Sequence, residues 1–228
     1  MNIYAISDLH LSFSTDKPMD IFGACWDGYW QKICDDWNTK VKDDDVVLIA
    51  GDISWAMTLE DALVDIDEIA KLPGKKVIVK GNHDYWWASV SKIRKALPKD
   101  FFVIQNDAIK FGDTVICGTR LWNLTNQNQA DKKICDREKL RLEMSLDSAL
   151  RVKQEDDKIL VMCHYPPFDV TLSDSQYTQV LEKYKVDSVV YGHLHGKDCR
   201  AVKYLEKNNI KYYLTSCDQV NNKLVKIY

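Results

Sequence analysis

Lys76-Val77-Ile78-Val79-Lys80-Gly81-Asn82-His83-Asp84 decides how this chain is read. A β-branched run of this kind makes a buried strand. It ends on a glycine, an amide, an imidazole and a carboxylate, residue types that can serve as a simple turn or deliver chemistry from a sheet edge. Three aromatic residues, Tyr85, Trp86 and Trp87, follow at once.

Similar short runs rich in Val and Ile recur at 3–6, 46–50, 101–104, 114–117, 159–162, 187–191, 211–214 and 224–227. Gly, Asp, Asn or Pro bound them, so all are expected strands. Helical periodicity lies between several of them. Over Thr58 to Lys71, Leu59, Ala62, Leu63, Ile66, Ile69 and Ala70 share one face, Thr58 is placed to cap the N-terminus with Asp61 three residues on, and Leu72-Pro73-Gly74 ends the element. Further helices are expected over Asp136 to Val152, with Leu140, Met144, Ala149 and Leu150 inward, over Ser173 to Tyr184, and from the aromatic triplet to Leu97. Trp26, Trp30, Ile33 and Trp37 step by helical intervals and read as core packing. Alternating strands and helices predict an α/β fold with much parallel pairing. No linker divides residues 1–228, so a single domain is expected. Asn123 to Gln129 is the one low-complexity patch and reads as an exposed loop over the site mouth.

Composition removes several function classes. No apolar run approaches the roughly 20 residues of a membrane span, and the N-terminus enters a strand without a leader-like stretch, which predicts a cytoplasmic protein. The seven cysteines form no CxxC pair, against a disulfide framework or a thiolate zinc site, and Cys163 reads as a core thiol. Net charge is −3. Acidic residues dominate the first 72 positions and basic ones only 73–100, so no continuous basic footprint supports nucleic acid as a partner.

The histidines carry the chemistry. All five follow expected strands, in the contexts Asp8-Leu9-His10, Gly81-Asn82-His83-Asp84, His164-Tyr165-Pro166-Pro167-Phe168 and Gly192-His193-Leu194-His195, and a further strand ends in Gly51-Asp52. Ligands bind at the carboxyl ends of strands in open α/β sheets. Residues two apart on an extended segment project to the same side, so Asp8 pairs with His10 and His193 with His195. Glycine precedes Asp52, Asn82 and His193, where positive φ or a missing side chain allows a sharp exit. Carboxylate, imidazole and amide oxygen without thiolate suit divalent Mn, Fe, Zn, Co or Ni. Seven candidate ligands, Asp8, His10, Asp52, Asn82, His164, His193 and His195, exceed what one catalytic zinc uses. Two ions sharing a carboxylate would accommodate them all.

The blocks DLH, GD, GNHD, a lone H and GHLH, in this order across residues 8–195, resemble the calcineurin-like metallophosphoesterase superfamily. Residues 51–57 (GDISWAM), 72–75 (LPGK) and 164–168 (HYPPF) more narrowly resemble a little-characterised group of bacterial predicted phosphohydrolases. The resemblance implies a four-layer α-β-β-α sandwich of two mixed sheets flanked by helices, with two divalent transition-metal ions, manganese or iron first among them. It assigns Asp8, His10 and His195 to one ion, Asn82, His164 and His193 to the other, and Asp52 as the bridge. It implies hydrolysis of a phosphorylated small molecule, a nucleotide derivative being one option, by attack of a metal-bridging hydroxide.

His83 would then protonate the leaving group with Asp84 as its orienting partner, or else bind phosphate as a cation. Trp55, Trp86, Trp87 and Trp122 are each either packing or an aromatic wall for substrate, and Arg120 is either a phosphate ligand or a surface cation. Specificity is expected in loops 11–29, 54–58 and 118–135. The competing reading is a catalytically silent scaffold of the same fold that binds a protein partner. Nothing in the sequence selects a monoester over a diester, or an oligomeric state.

Overall fold

The β-branched runs do form strands. A computed structural model, which describes residues 1–125, 128–196 and 198–228, arranges them in two sheets. The first has the order β11 (Val225–Lys226), β1 (Ile3–Ile6), β2 (Val46–Ile49), β3 (Lys75–Ile78), β4 (Phe101–Val103). The second runs β5 (Ala108–Phe111), β6 (Thr114–Gly118), β7 (Lys158–Met162), β8 (Ser188–Tyr191), β10 (Ile210–Leu214), β9 (Tyr204–Lys207). Pairing is parallel through β1-β2-β3-β4 and through β6-β7-β8-β10, and antiparallel at β11, β5 and β9. Parallel pairing sends the exits of β1, β2 and β3 to one edge of the first sheet, and those of β7 and β8 to one edge of the second.

Alternation along each strand builds three apolar layers. Ile3, Ala5, Val46, Leu48 and Val77 meet Ile116, Leu160, Met162 and Val190 between the sheets. The opposite face of the first sheet, with Tyr4, Ile6, Val47, Ile49 and Ile78, is covered by α1 (Tyr29–Lys40), α2 (Leu59–Ala70) and α3 (Val90–Ala96). On the second, Val115, Val161, Cys163 and Val189 pack against α4 (Gln129–Val152) and α5 (Gln176–Lys183). Both faces of each sheet are thus buried, which is why these strands read as continuous apolar runs. The layers are those expected, α-β-β-α. Among the described residues, no helix is long and apolar enough to cross a membrane.

Several local expectations hold for their stated reasons. Thr58 Oγ1 accepts from Asp61 N at 3.2 Å and starts α2, and Cys163 is fully buried. Others need correction. The helix expected directly after Asp84 begins only at Val90, because Asp84 to Trp87 are held in turns. Strands β5 and β9 escape the sequence reading because they are only partly buried and lack an unbroken apolar run. Each is an edge strand on a two-residue hairpin, Gly112-Asp113 or Asn208-Asn209, and both asparagines take the positive φ such turns require.

Helix α4 starts seven residues before the expected Asp136. Asn128 accepts from Ala130 N and Asp131 N, and Asp131 accepts from Asn128 N, a reciprocal cap hidden in the low-complexity patch. Residues 126 and 127 of that patch lie outside the described residues. The inward face also differs. Leu140, Met144 and Leu150 are exposed, whereas Cys135, Glu138, Leu142, Ser145, Leu146 and Ala149 face the sheet. Two polar residues inside the buried stripe mask its period: Glu138 accepts from Thr119 and Arg141, and Ser145 bridges Gly118 N and Asp107 O.

Candidate metal centre

The exits of β1, β2 and β8 bend through left-handed backbone, mostly at non-glycine residues. Asp8, His10, Asp52 and His193 have φ of 57°, 46°, 51° and 69°. Such backbone costs about 1–3 kcal/mol per residue and persists only where surrounding bonds impose it. Here Asp8 N donates to Gly51 O, His10 N to Asp52 O, and His193 N to both carboxylate oxygens of Asp8 at 3.1 Å. Of the three glycines expected to loosen the exits, only Gly51 uses positive φ, at 91°. Gly81 and Gly192 are required by close approach instead. A Cβ on Gly81 would lie 2.1 Å from Asp52 N, and one on Gly192 would lie 2.4 Å from Ser7 Oγ.

These bends bring all seven candidate ligands together. Ligand atoms of Asp8, His10 and His195 lie within 4.8 Å of one another, as do those of Asp8, Asp52 and His164. Asn82 Oδ1 is 2.7 Å from His164 Nε2 and 2.9 Å from His193 Nδ1. Asp52 Oδ2 lies 3.4 Å from His164 Nε2 and 3.7 Å from His10 Nε2.

The donor set fits metal ions, on a test of hydrogen bonding. His164 Nδ1 donates to Ala50 O at 3.0 Å, so in the neutral ring Nε2 carries a lone pair and faces two oxygen acceptors. Among the described residues, the ring nitrogens of buried His10 and the buried Asp52 Oδ2 have no hydrogen-bond partner. Lone pairs that converge in a buried site without donors are costly unless a cation lies between them.

The electrostatics agree. Burial pushes the His10 and His193 imidazoles down to about 3, so both offer lone pairs at neutral pH. Burial also opposes charge on His164, but the adjacent Asp52 and Asp8 carboxylates outweigh it and raise that ring to about 9. Without metal, a proton there takes the cation's place. Burial raises Asp52 as well, yet His164, His10 and the His83 N–H prevail and keep it ionised.

Asp84 has a different task from the one expected. Its buried carboxylate accepts from Asp52 N, Ile53 N, Ser54 N, Gly81 N and Trp86 Nε1, and the His83 ring does not reach it. Among the described residues, His83 Nδ1 has no hydrogen-bond partner. Burial holds the His83 imidazole below its usual value, so Asp84 does not keep it cationic. Asp84 therefore ties the exit of β2 to that of β3. His83 stands at the site through its backbone, donating to Asp52 Oδ1 at 2.8 Å, with its ring 5.6 Å from that of His10.

The aromatic residues divide between the two alternatives. Trp86 is buried packing, and Trp87 leans on it while bonding Gln105. Trp55 stacks on His10, with ring centres 4.7 Å apart and planes at 21°, and also meets His83. Trp26, expected only to pack, is buried but also edges against His10 and His195. Arg120 lies over the Trp122 ring and lines a small separate cavity with Lys80 and Arg141. Tyr165, with its ring 4.2 Å from that of His193, is a neighbour the sequence reading missed.

A family model described as calcineurin-like phosphoesterase matches residues 1–197. No curated protein is detectably similar in sequence. Among solved structures, TT1561 of Thermus thermophilus is 10% identical with a TM-score of 0.64, covering 99% of this chain and 97% of that one. The phosphopantetheinyl hydrolase of Mycobacterium tuberculosis is 13% identical at a TM-score of 0.57, covering 99% and 95%. GAP50, the anchor in the inner membrane complex of Plasmodium, is 16% identical at 0.55, covering 96% and 72%. At such identities the likeness is one of fold.

Proposed function

The chain belongs to the calcineurin-like phosphoesterase family, and from that premise we propose that it hydrolyses a phosphate ester with two divalent transition-metal ions. Asp8, His10 and His195 would hold one, Asn82, His164 and His193 the other, and Asp52 both. The observation that carries this reading is the convergence of buried ligand atoms: among the described residues His10 Nε2 and Asp52 Oδ2 have no hydrogen-bond partner, and His164 Nε2 lies 3.4 Å from that same Asp52 oxygen. When bound, such a pair of cations polarises a phosphoryl group and acidifies a water.

The chain's own residues would do the rest. Ionised Asp52 balances the charge of the cations, and the Ala50 carbonyl fixes the His164 tautomer so that Nε2 points inward. His83 lines the same cavity as His10 and His195. An anionic phosphoryl group there would raise its lowered pKa, and Nδ1, free of protein partners, or Nε2 would donate a proton to the departing oxygen. His83→Ala is expected to cost about 10²–10³-fold on alkyl esters and less than about tenfold on nitrophenyl esters, whose leaving groups need no proton. Equal losses in the kcat/KM of both would remove the acid role.

The test of the whole reading is turnover of a panel of phosphomonoesters and diesters by protein whose Mn²⁺ content has been measured. Metal-dependent hydrolysis at about two ions per chain is expected. The fold likeness to the Plasmodium anchor favours a second reading, a silent scaffold. A scaffold has no need of facing buried lone pairs, and full metal loading without turnover is the result that would select it.

A further inference from the structure

Two cavities open on the metal centre. A cavity of about 700 Å³ is built on the loops after β1, β2, β3 and β8, with Trp26, Trp55, Phe22 and Met19 as walls, and reaches His10, His83 and His195. A second, of about 420 Å³, is built on the loops after β7 and β8, with Tyr165, Phe168, Leu172 and Ala201 as walls, and reaches His193. His195, Gly196 and Asp198 line the first and Leu194, Ala201 and Val202 the second, and Cys199 borders both. The imidazoles proposed for one ion thus face the first cavity, and the His193 imidazole proposed for the other faces the second. Each lip carries an exposed apolar side chain, Phe22 on one and Val170 on the other.

A phosphomonoester has one organic substituent and would fill one cavity only. We propose that the substrate is a phosphodiester with two organic arms: an aromatic ring seated in the cavity lined by Phe22, Trp26 and Trp55, and an aliphatic chain seated along Tyr165, Phe168 and Leu172. This rests on the phosphoesterase reading above and names its substrate class. Because His83 lines the aromatic cavity, the arm seated there departs. Water adds to phosphorus, the P–O bond to that arm breaks, the departing oxygen takes a proton, and the other arm leaves as its phosphomonoester.

Three substrates test this with the Mn²⁺-loaded full chain: 4-nitrophenyl hexyl phosphate, 4-nitrophenyl methyl phosphate and the monoester 4-nitrophenyl phosphate. The hexyl diester is expected to exceed the methyl diester at least about tenfold in kcat/KM, since each buried methylene favours binding several-fold. Both diesters are expected to exceed the monoester. Calorimetry supplies a readout without turnover: phenyl(hexyl)phosphinate, which has no ester bond, is expected to bind at least about tenfold more tightly than phenyl(methyl)phosphinate. Ala201→Trp or Val202→Trp fills the second cavity and is expected to lower the hexyl-to-methyl ratio at least about fivefold in both readouts. Val202 is 44% exposed, so its variant tests the cavity without a core change.

A ratio near one in wild type, a ratio unmoved by both variants, or a monoester preferred to both diesters overturns the two-armed substrate and leaves the phosphoesterase intact. Hydrolysis of no ester overturns both.

Discussion

Asp52→Asn is expected to lower metal-dependent turnover at least about 10³-fold and to reduce bound metal below two ions per chain. The substitution keeps shape. Asn82 and the backbone hold the site's outline, and an asparagine Oδ1 at position 52 still accepts from His83 N. What it removes is the charged oxygen that faces His10 and His164 and has no partner of its own. Replaced by an amide N–H₂, that atom would donate to an imidazole and repel a cation. A second readout needs no metal. Burial disfavours charge on His164, and the Asp52 carboxylate is the largest influence that opposes it. In metal-free Asp52→Asn, the His164 pKa is therefore expected to fall from about 9, measured by NMR titration. Two ions retained with turnover within tenfold of wild type would show that Asp52 does not bridge.

Asp84→Ala is the change with the largest expected effect on the fold. Four backbone N–H groups and the Trp86 indole converge on this one buried carboxylate. Truncation leaves these donors unpaired inside the protein, at roughly 1–3 kcal/mol for each that finds no water. Partial relaxation brings the expected total to about 3–5 kcal/mol, the range for breaking one side of a buried charged network. In a chain of this length that lowers the melting temperature by on the order of 10 °C. Activity falls with it, since residues 52–54 and Gly81 lose their common anchor. Had Asp84 served only to orient His83, the variant would melt as wild type and lose activity toward poor leaving groups alone. Thermal melts and the two classes of ester separate these outcomes.

Much of the architecture could be read from local sequence because its causes are local. Strands buried on both faces show as unbroken Val and Ile runs, and the Thr58 cap and the Leu72-Pro73-Gly74 stop lie within a few residues of what they bound. Where burial is mixed, the local signal fails. The inner stripe of α4 contains Glu138 and Ser145, made tolerable by Thr119, Arg141, Gly118 and Asp107, so periodicity of apolar residues placed Ala149 inward correctly but Leu140, Met144 and Leu150 on the wrong face. Edge strands β5 and β9 pack on fewer neighbours and need less apolar character, and their turn residues were the better signal.

The sequence alone determined which residue types could meet a metal, because all five imidazoles stand at strand exits and parallel strands bring their exits to a common edge. Direction within that edge was decided by the tertiary structure. Four left-handed backbone turns aim Asp8, His10, Asp52 and His193, and they hold only through bonds between loops far apart in the chain. The same long-range bonding turned Asp84 from the partner of its neighbour His83 into the clasp between β2 and β3. Two cavities arise because the site lies where two sheets meet, a relation that no stretch of the chain contains by itself.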